Sequence, residues 1–334
     1  MTKIARFDRI GGPEVLSLVE VDTPAPSDGE VQIAMKAAGL NRAELLFMAR
    51  EYLVDPELPS LLGFEGAGEV VAVGDGVTRV RPGDRVAVTP AFKQNAYGVL
   101  GARVNMPETA LEPVPDGVDY RSAAAFWMAF GTAYGLLVLR GGLKAGAGQT
   151  VVINAASSSV GTAAFQIVAA HGGTVIALTR DQTKVAGLNN AGADHVIVTD
   201  EEDVVARILE ITDGRGFDIA LDAVSGTEGE TLANAAAFEA RVVVYGLLSG
   251  APSTLPFFPM ITKGVVVTGF HLAWHMLDLP DRRVEAVAHL NEGLASGAYV
   301  PRIDRVFAFE ALQDAYRHMA SNTQLGKIIV EFDQ

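Results

Sequence analysis

Apolar and polar positions along this chain follow two rhythms. Between residues 151 and 270, short apolar runs recur at 151–153, 174–178, 195–198, 217–221, 241–246 and 264–270. Stretches with helical spacing separate them, so the pattern predicts strand–helix alternation and a doubly wound parallel sheet, an α/β fold. Before residue 122 the rhythm changes. Short β-like runs are cut by Pro24, Pro26, Gly29, Gly63, Gly66, Gly68, Gly74, Gly76, Pro82 and Gly83. This predicts an irregular β-rich unit, with strands at 31–37 and 68–73 and a turn at 81–84 leading into a strand that ends by 88. Beyond 271 the pattern predicts two helices, 282–296 and 309–320, and a last strand at 326–331.

Composition narrows the class. The 334 residues are 49% hydrophobic and 20% charged, as in an ordered globular protein long enough for two domains. A formal net charge of −14 disfavours nucleic acid or an anionic membrane as partner, since both attract positive charge. There is no cysteine, which excludes disulfides and thiolate zinc sites. The first residues carry no signal-peptide core, and no uninterrupted apolar segment approaches the ~20 residues of a membrane span. A soluble, cytoplasmic protein is expected.

Candidate chemistry concentrates at one turn. In Val151-Val-Ile-Asn-Ala-Ala-Ser-Ser-Ser-Val-Gly161 the apolar run stops at small residues, and an apolar helical stretch, 160–170, begins. A strand, a tight turn and a helix start offer free backbone N–H groups and the positive end of a helix dipole, which suit a pyrophosphate. A dinucleotide is the expected ligand. The next run closes on Thr179 and Arg180, with Lys184 one helical turn later on the same face. An NAD-preferring site usually carries Asp or Glu there for the ribose 2′-OH; a hydroxyl, a guanidinium and an ammonium suit a 2′-phosphate. NADPH is therefore the expected cofactor. Asp181 is the contrary detail, an acid that would serve the ribose if the turn register shifted.

Seven segments carry a family resemblance. They are Ala38-Gly-Leu-Asn-Arg-Ala-Glu44, Leu62-Gly-Phe-Glu-Gly-Ala-Gly-Glu-Val70, Val80-Arg-Pro-Gly-Asp-Arg-Val86, Gly131-Thr-Ala-Tyr134, Ala155-Ala-Ser-Ser-Ser-Val-Gly161, Ala191-Gly-Ala-Asp194 and Leu325-Gly-Lys-Ile-Ile-Val330. Together, in this order, they resemble the medium-chain dehydrogenase/reductase superfamily. The resemblance implies a GroES-like β-rich catalytic domain at 1–122 and 272–334, and a Rossmann NADP-binding domain at 123–271. Zinc alcohol dehydrogenases of that superfamily carry Cys and His where this chain has Asn41 and Phe64, beside a retained Glu65. The four-cysteine structural zinc lobe has no counterpart between Val88 and Leu111. A lone carboxylate does not make a three-ligand catalytic site, so the chain resembles the zinc-independent branch and no metal is expected. That branch holds quinone oxidoreductases, enone reductases and enoyl-thioester reductases.

The resemblance also implies site residues. Asn41 takes the place of the metal-binding Cys near the nicotinamide ring, with Thr132, Gly246, Phe270 and Leu272 at the same end of the cofactor. Ser158, Ser159 and Val160 form the phosphate turn, where the two serines replace the family's glycines, and Lys327 reaches the cofactor phosphates. Tyr52, in a segment similar to the active-site loop of quinone and enoyl-thioester reductases, is the expected catalytic donor to a developing enolate. Glu44 is expected to fix local backbone or an arginine such as Arg42. His271, Trp274 and His275 are candidates for lining a substrate cleft, and the run 126–130 reads as helix core in preference to cleft wall. The expected function is zinc-independent, NADPH-dependent reduction of quinones or α,β-unsaturated carbonyl compounds by hydride transfer. Enoyl-thioester reduction is the second reading; an NADPH-binding protein with a structural or regulatory role is the third. A homodimer through the last Rossmann strand is expected, because Val265-Val-Val-Thr268 is apolar enough to be a buried edge.

Overall fold

A computed structural model describes residues 1–333, which fall into two compact units. One unit joins Met1–Met128 to the segment from Ile303 onward; the other is Ala129–Arg302. In the first, the strand Glu30–Gly39 is central. It pairs antiparallel with Lys327–Glu331 on one side and with Glu65–Val73 on the other, and Arg103–Pro107 also pairs with it. Pairing on both sides explains why the strand outruns the expected 31–37: its ends are held by neighbours, not by its own alternation. Arg85–Val88, Leu111–Pro113 and Ile303–Ala308 complete that sheet, and Thr2–Phe7, Leu16–Val21 and Ser60–Leu61 form a smaller one. Phe7, Ile33, Phe47, Met106 and Tyr316 are fully buried in the core between them.

The second unit holds a six-stranded parallel sheet. Its order is His195–Val198, Thr174–Thr179, Thr150–Ile153, Phe217–Asp222, Ala236–Val244 and Val266–Gly269. The order reverses beside Thr150–Ile153, which makes the carboxyl end of that strand the topological switch point where such sheets bind ligands. The expected run 241–246 is displaced: the strand ends at Val244, and Gly246 lies two residues beyond it. The run 126–130 is core as expected, with Phe126, Trp127, Ala129 and Phe130 all buried.

Contacts draw the unit boundary elsewhere than the sequence suggested, because residues 272–302 fall in the unit that holds the parallel sheet. Tyr299 lies so close on the helix Pro280–Ser296 that a Cβ at Gly293 would fall 2.0 Å from its ring. The Tyr299 ring stacks on Phe130 at 5.4 Å, and Gln166 and Val300 exchange two hydrogen bonds of 2.8 Å. At the sheet edge, Val265 is buried while Val266 is exposed. The helix Phe257–Lys263, packed on the neighbouring strand, exposes Phe257 (66%), Phe258 (77%) and Ile261 (82%). Among the described residues, no helix is long and apolar enough to cross a membrane.

Candidate functional site

At the switch point, two strands are clamped before the turn begins. Asn154 donates from Nδ2 to Asp222 Oδ1 at 2.6 Å, and its Oδ1 accepts from the Ala223 amide at 2.7 Å. Asp222 Oδ1 also accepts from the amides of Val224 and Ser225, each at 2.9 Å. The sequence reading missed this buried pair, since each residue alone looks like an ordinary strand end. Ser158 then caps the helix Ser159–Ala170: its backbone is extended, and its Oγ accepts from the Gly161 amide at 3.0 Å. The amides of Ser159 and Val160 meet no acceptor among the described residues, as the first turn of a helix leaves them. Open donors and the helix dipole suit a diphosphate. The serine that replaces a family glycine therefore does a cap's work.

The residues after the second strand converge on the same turn. Lys184 donates from Nζ to Ser157 Oγ at 2.9 Å, which brings its ammonium back to the turn. Arg180 is exposed, and among the described residues no carboxylate pairs with it. Asp181 is occupied locally: it accepts from the Thr183 hydroxyl at 2.6 Å and the Thr183 amide at 2.9 Å, capping the turn Gln182–Lys184. Those two donors, the hydroxyl first, hold its carboxyl below the usual range. Thr179 Oγ1 accepts from the Asp181 amide at 3.2 Å.

Of the residues expected at the nicotinamide end, Thr132, Gly246, Phe270 and Leu272 lie in the same unit and Asn41 in the other. Gly246 O accepts from Ser225 Oγ at 2.8 Å, and Phe270 N donates to Val244 O at 3.0 Å. Phe270 and Leu272 are buried, and Leu272 lies against the helix Trp127–Tyr134, which carries half-buried Thr132. His271 lies tilted against Trp274 with ring centroids 4.4 Å apart, and His275 Nδ1 accepts from the His271 amide at 2.9 Å. Burial holds both histidines below the usual imidazole range.

The other unit gathers a second group of candidates into a closed polar cluster. Asn41 starts the helix Arg42–Met48, and its amide N–H donates to Glu44 Oε2 at 3.0 Å in a capping box. Glu44 also accepts from Phe64 N at 3.1 Å and from the Tyr316 hydroxyl at 2.7 Å. Burial pushes its carboxyl up to about 7 against those donors. Glu44 thus fixes backbone, while Arg42 turns away to Met319 O at 2.8 Å. Glu65 accepts from Met128 N at 2.9 Å and forms an ion pair with Lys327. Lys327, expected at the cofactor phosphates, is only 1% exposed and also donates to Asn41 Oδ1 at 2.6 Å. An ammonium so deeply buried must be matched where it lies, so it is committed to Glu65 and Asn41. Tyr52 is half-buried, 6.2 Å from the ring of Phe64, and burial raises its phenol while the Gln94 side chain counters in part. Among the described residues no group of three or more His, Asp or Glu side chains is arranged to hold a metal.

A parallel sheet with a capped, amide-bearing turn at its switch point, alongside a β-rich unit carrying a buried polar cluster, defines a two-domain oxidoreductase of the dehydrogenase type. Residues 27–116 match the alcohol dehydrogenase GroES-like domain family, and residues 159–282 match the zinc-binding dehydrogenase family. The quinone oxidoreductase of Pseudomonas aeruginosa is 31% identical over 335 residues, covering 99% of each chain. The synaptic vesicle membrane protein VAT-1 homolog of Rattus norvegicus is 32% identical over 329 residues, 92% of this chain and 78% of that one. The crystal structure of Escherichia coli quinone oxidoreductase complexed with NADPH matches with a TM-score of 0.87 at 28% identity, over 98% of this chain and 99% of that one. The chain belongs to the quinone oxidoreductase branch of the medium-chain dehydrogenase/reductase superfamily.

Proposed function

We propose that this protein uses NADPH, without a metal, to reduce quinones or α,β-unsaturated carbonyl compounds. The observation that carries the cofactor choice is the disposition of charge after the second strand of the parallel sheet. Arg180 is unpaired with any described carboxylate, Lys184 leans onto the turn at Ser157, and Asp181 is spent on Thr183. Two cations beside an acid whose Oδ1 is held by Thr183 favour a 2′-phosphate over a ribose hydroxyl. The NADPH complex of the Escherichia coli relative supports the same choice.

The residues divide the work. The open amides of Ser159 and Val160, beside the Ser158 cap, hold the diphosphate; Thr179, Arg180 and Lys184 hold the 2′-phosphate. Thr132, Gly246, Phe270, Leu272 and Asn41 shape the nicotinamide end. When bound, NADPH supplies a hydride to an electrophilic carbon of the substrate. Tyr52 then gives a proton to the oxygen or carbon that has gained the electron pair, and is reprotonated by water. Its phenol, held high by burial, stays protonated through neutral pH and so acts as a donor. Asn41 and Phe64, standing where the zinc-binding relatives have Cys and His, leave polarisation of the substrate oxygen to hydroxyls, amides and water. The unpaired edge strand Val266–Gly269 and the exposed Phe257, Phe258 and Ile261 support a homodimer formed across that edge.

Steady-state turnover with NADPH against a panel of quinones, enones and one enoyl thioester tests this reading. At least one quinone or enone should be reduced, with no loss on adding a chelator. Arg180→Ala should raise KM for NADPH about tenfold or more, as loss of a charge-assisted contact does, and leave NADH unchanged. Equal losses for both cofactors would sink the selectivity claim. Zinc-dependent oxidation of ethanol would overturn the mechanism, turnover of the thioester alone would favour enoyl reduction, and binding without any turnover would favour the non-catalytic reading.

A further inference from the structure

The cluster around Lys327 has a geometry that neither the family resemblance nor the proposed reaction uses. Lys327 lies on the strand Lys327–Glu331, which pairs with the end of Glu30–Gly39, and Leu40 N donates to Ile328 O at 3.0 Å. The lysine side chain therefore runs beneath the residues that lead into Asn41. Gly39 leaves it room: a Cβ there would lie 2.7 Å from Lys327 Cε and 3.0 Å from Glu65 Oε1. Asn41 Oδ1 receives the ammonium at 2.6 Å, while Asn41 Nδ2 donates to Gly39 O at 3.0 Å and to Glu65 Oε1 at 3.3 Å. The amide has one possible orientation. Flipped, its NH2 would face an ammonium that has no acceptor, and its oxygen would face a carboxylate and a carbonyl.

We propose that Lys327 is a positioning residue, whose buried pair with Glu65 locks the Asn41 amide with Oδ1 turned to the ammonium and the start of the helix Arg42–Met48, so that a ligand meets an acceptor there and not a donor. Both Nδ2 hydrogens are spent inside the protein, so any ligand group that meets Asn41 must be a donor, of the carboxamide or hydroxyl class. Stability alone does not account for the pair, because replacing both members of a buried ion pair by neutral residues is often neutral or stabilising. What the pair adds is a single orientation. The proposal rests on the reading of Asn41 as a cofactor contact.

Its test removes both charges at once, in Glu65→Gln/Lys327→Met, so that no orphan charge is left buried. Thermal unfolding, the NMR signals of the Asn41 side-chain amide without cofactor, and the Kd for NADPH are measured together. The variant should keep a Tm close to that of the parent, lose exchange protection of the Asn41 amide, and bind NADPH about tenfold more weakly, roughly one hydrogen bond's worth. In an Asn41→Ala background the same two changes should add less than about twofold, because groups acting through one another are not additive. A second pair, Glu65→Gln/Lys327→Gln, restores a donor for Asn41 Oδ1 without charge. It should recover the amide protection and most of the affinity, and it carries the test if the Met variant does not fold. Unchanged affinity in the Met variant, a full additional loss in the Asn41→Ala background, or a Gln pair with protected Asn41 and weak binding would each overturn the proposal. If the unaltered protein binds no NADPH while its Asn41 amide is protected, the cofactor reading fails first and the proposal goes with it.

Discussion

Two lysines of this chain show how differently its two polar regions are built. Lys184 sits at the capped turn, where its ammonium rests on a serine hydroxyl, Arg180 is exposed beside it, and helix amides stay open. Lys327 sits inside the β-rich unit, matched by Glu65 and Asn41 and sealed from solvent. Both come from segments that resemble cofactor-binding motifs. One region leaves donors unsatisfied for something else to take; the other spends its charges and its donors on itself. Arg180 at the turn meets no described carboxylate, and charge in the cluster is committed. A single substitution that orphans a charge should therefore cost stability in the cluster, whereas one at the turn should cost affinity.

Removing one side of the buried pair is the harshest way to break that contrast. Glu65→Leu leaves the Lys327 ammonium enclosed without a counter-charge, and should cost about 3–5 kcal/mol of unfolding free energy. Lys184→Ala, at the turn, should stay within about 0.5 kcal/mol of the parent. Denaturant unfolding with matched slopes measures both. Similar small losses for the two would mean that the cluster is not sealed.

Glu44 sharpens the comparison through pH. Its carboxyl is raised from 4.5 to about 7, because burial outweighs the donors of Asn41 and Tyr316. The folded state thus holds this proton more tightly than the unfolded one. The sign follows: the contribution is fully present below about 4.5 and is lost as pH rises through about 7. Its full size is on the order of 3 kcal/mol, at 1.36 kcal/mol for each pH unit of displacement. Glu44→Gln should flatten that part of the stability profile. Tyr316→Phe removes a donor to the carboxylate and should move the loss to higher pH. Unfolding free energies of the three proteins across pH 4 to 8, roughly the span of both pKa values, check it; parallel profiles would show that Glu44 does not titrate in this range.

The contrast also explains which parts of the molecule the sequence disclosed. The turn was legible because its signals are local: an apolar run, small residues and a helical period within a dozen positions. His195–Val198 appears with the bounds its pattern predicts. Lys327 misled because its partner Asn41 is 286 positions away, and no periodicity reports a pairing of that kind. The unit boundary failed for the same reason, since Phe130 with Tyr299 and Gln166 with Val300 join residues more than a hundred positions apart. The role of Asp181 was within reach. An Asp two residues before Thr183 is the pattern of a side chain capping its own turn, which ties one carboxylate oxygen to the local backbone and hydroxyl.

The smallest expected effect separates the two serines of the turn. Ser158 is the cap, and Ser158→Ala should cost about 1 kcal/mol, because the Gly161 amide loses its acceptor. Ser158→Gly should cost only a few tenths, since glycine is itself a tolerated cap. Ser159 is the first helical residue, so Ser159→Ala should stay near the parent in stability. Binding then adds what stability cannot. If the open amides of Ser159 and Val160 hold the diphosphate, Ser158→Gly should keep NADPH affinity within about twofold, less than half a kcal/mol. If the Ser158 hydroxyl itself contacts the ligand, the same variant loses affinity while its fold is nearly untouched. Isothermal titration of the Gly and Ala variants side by side decides whether this turn binds through its backbone, as its geometry implies, or through the side chain that marks it out.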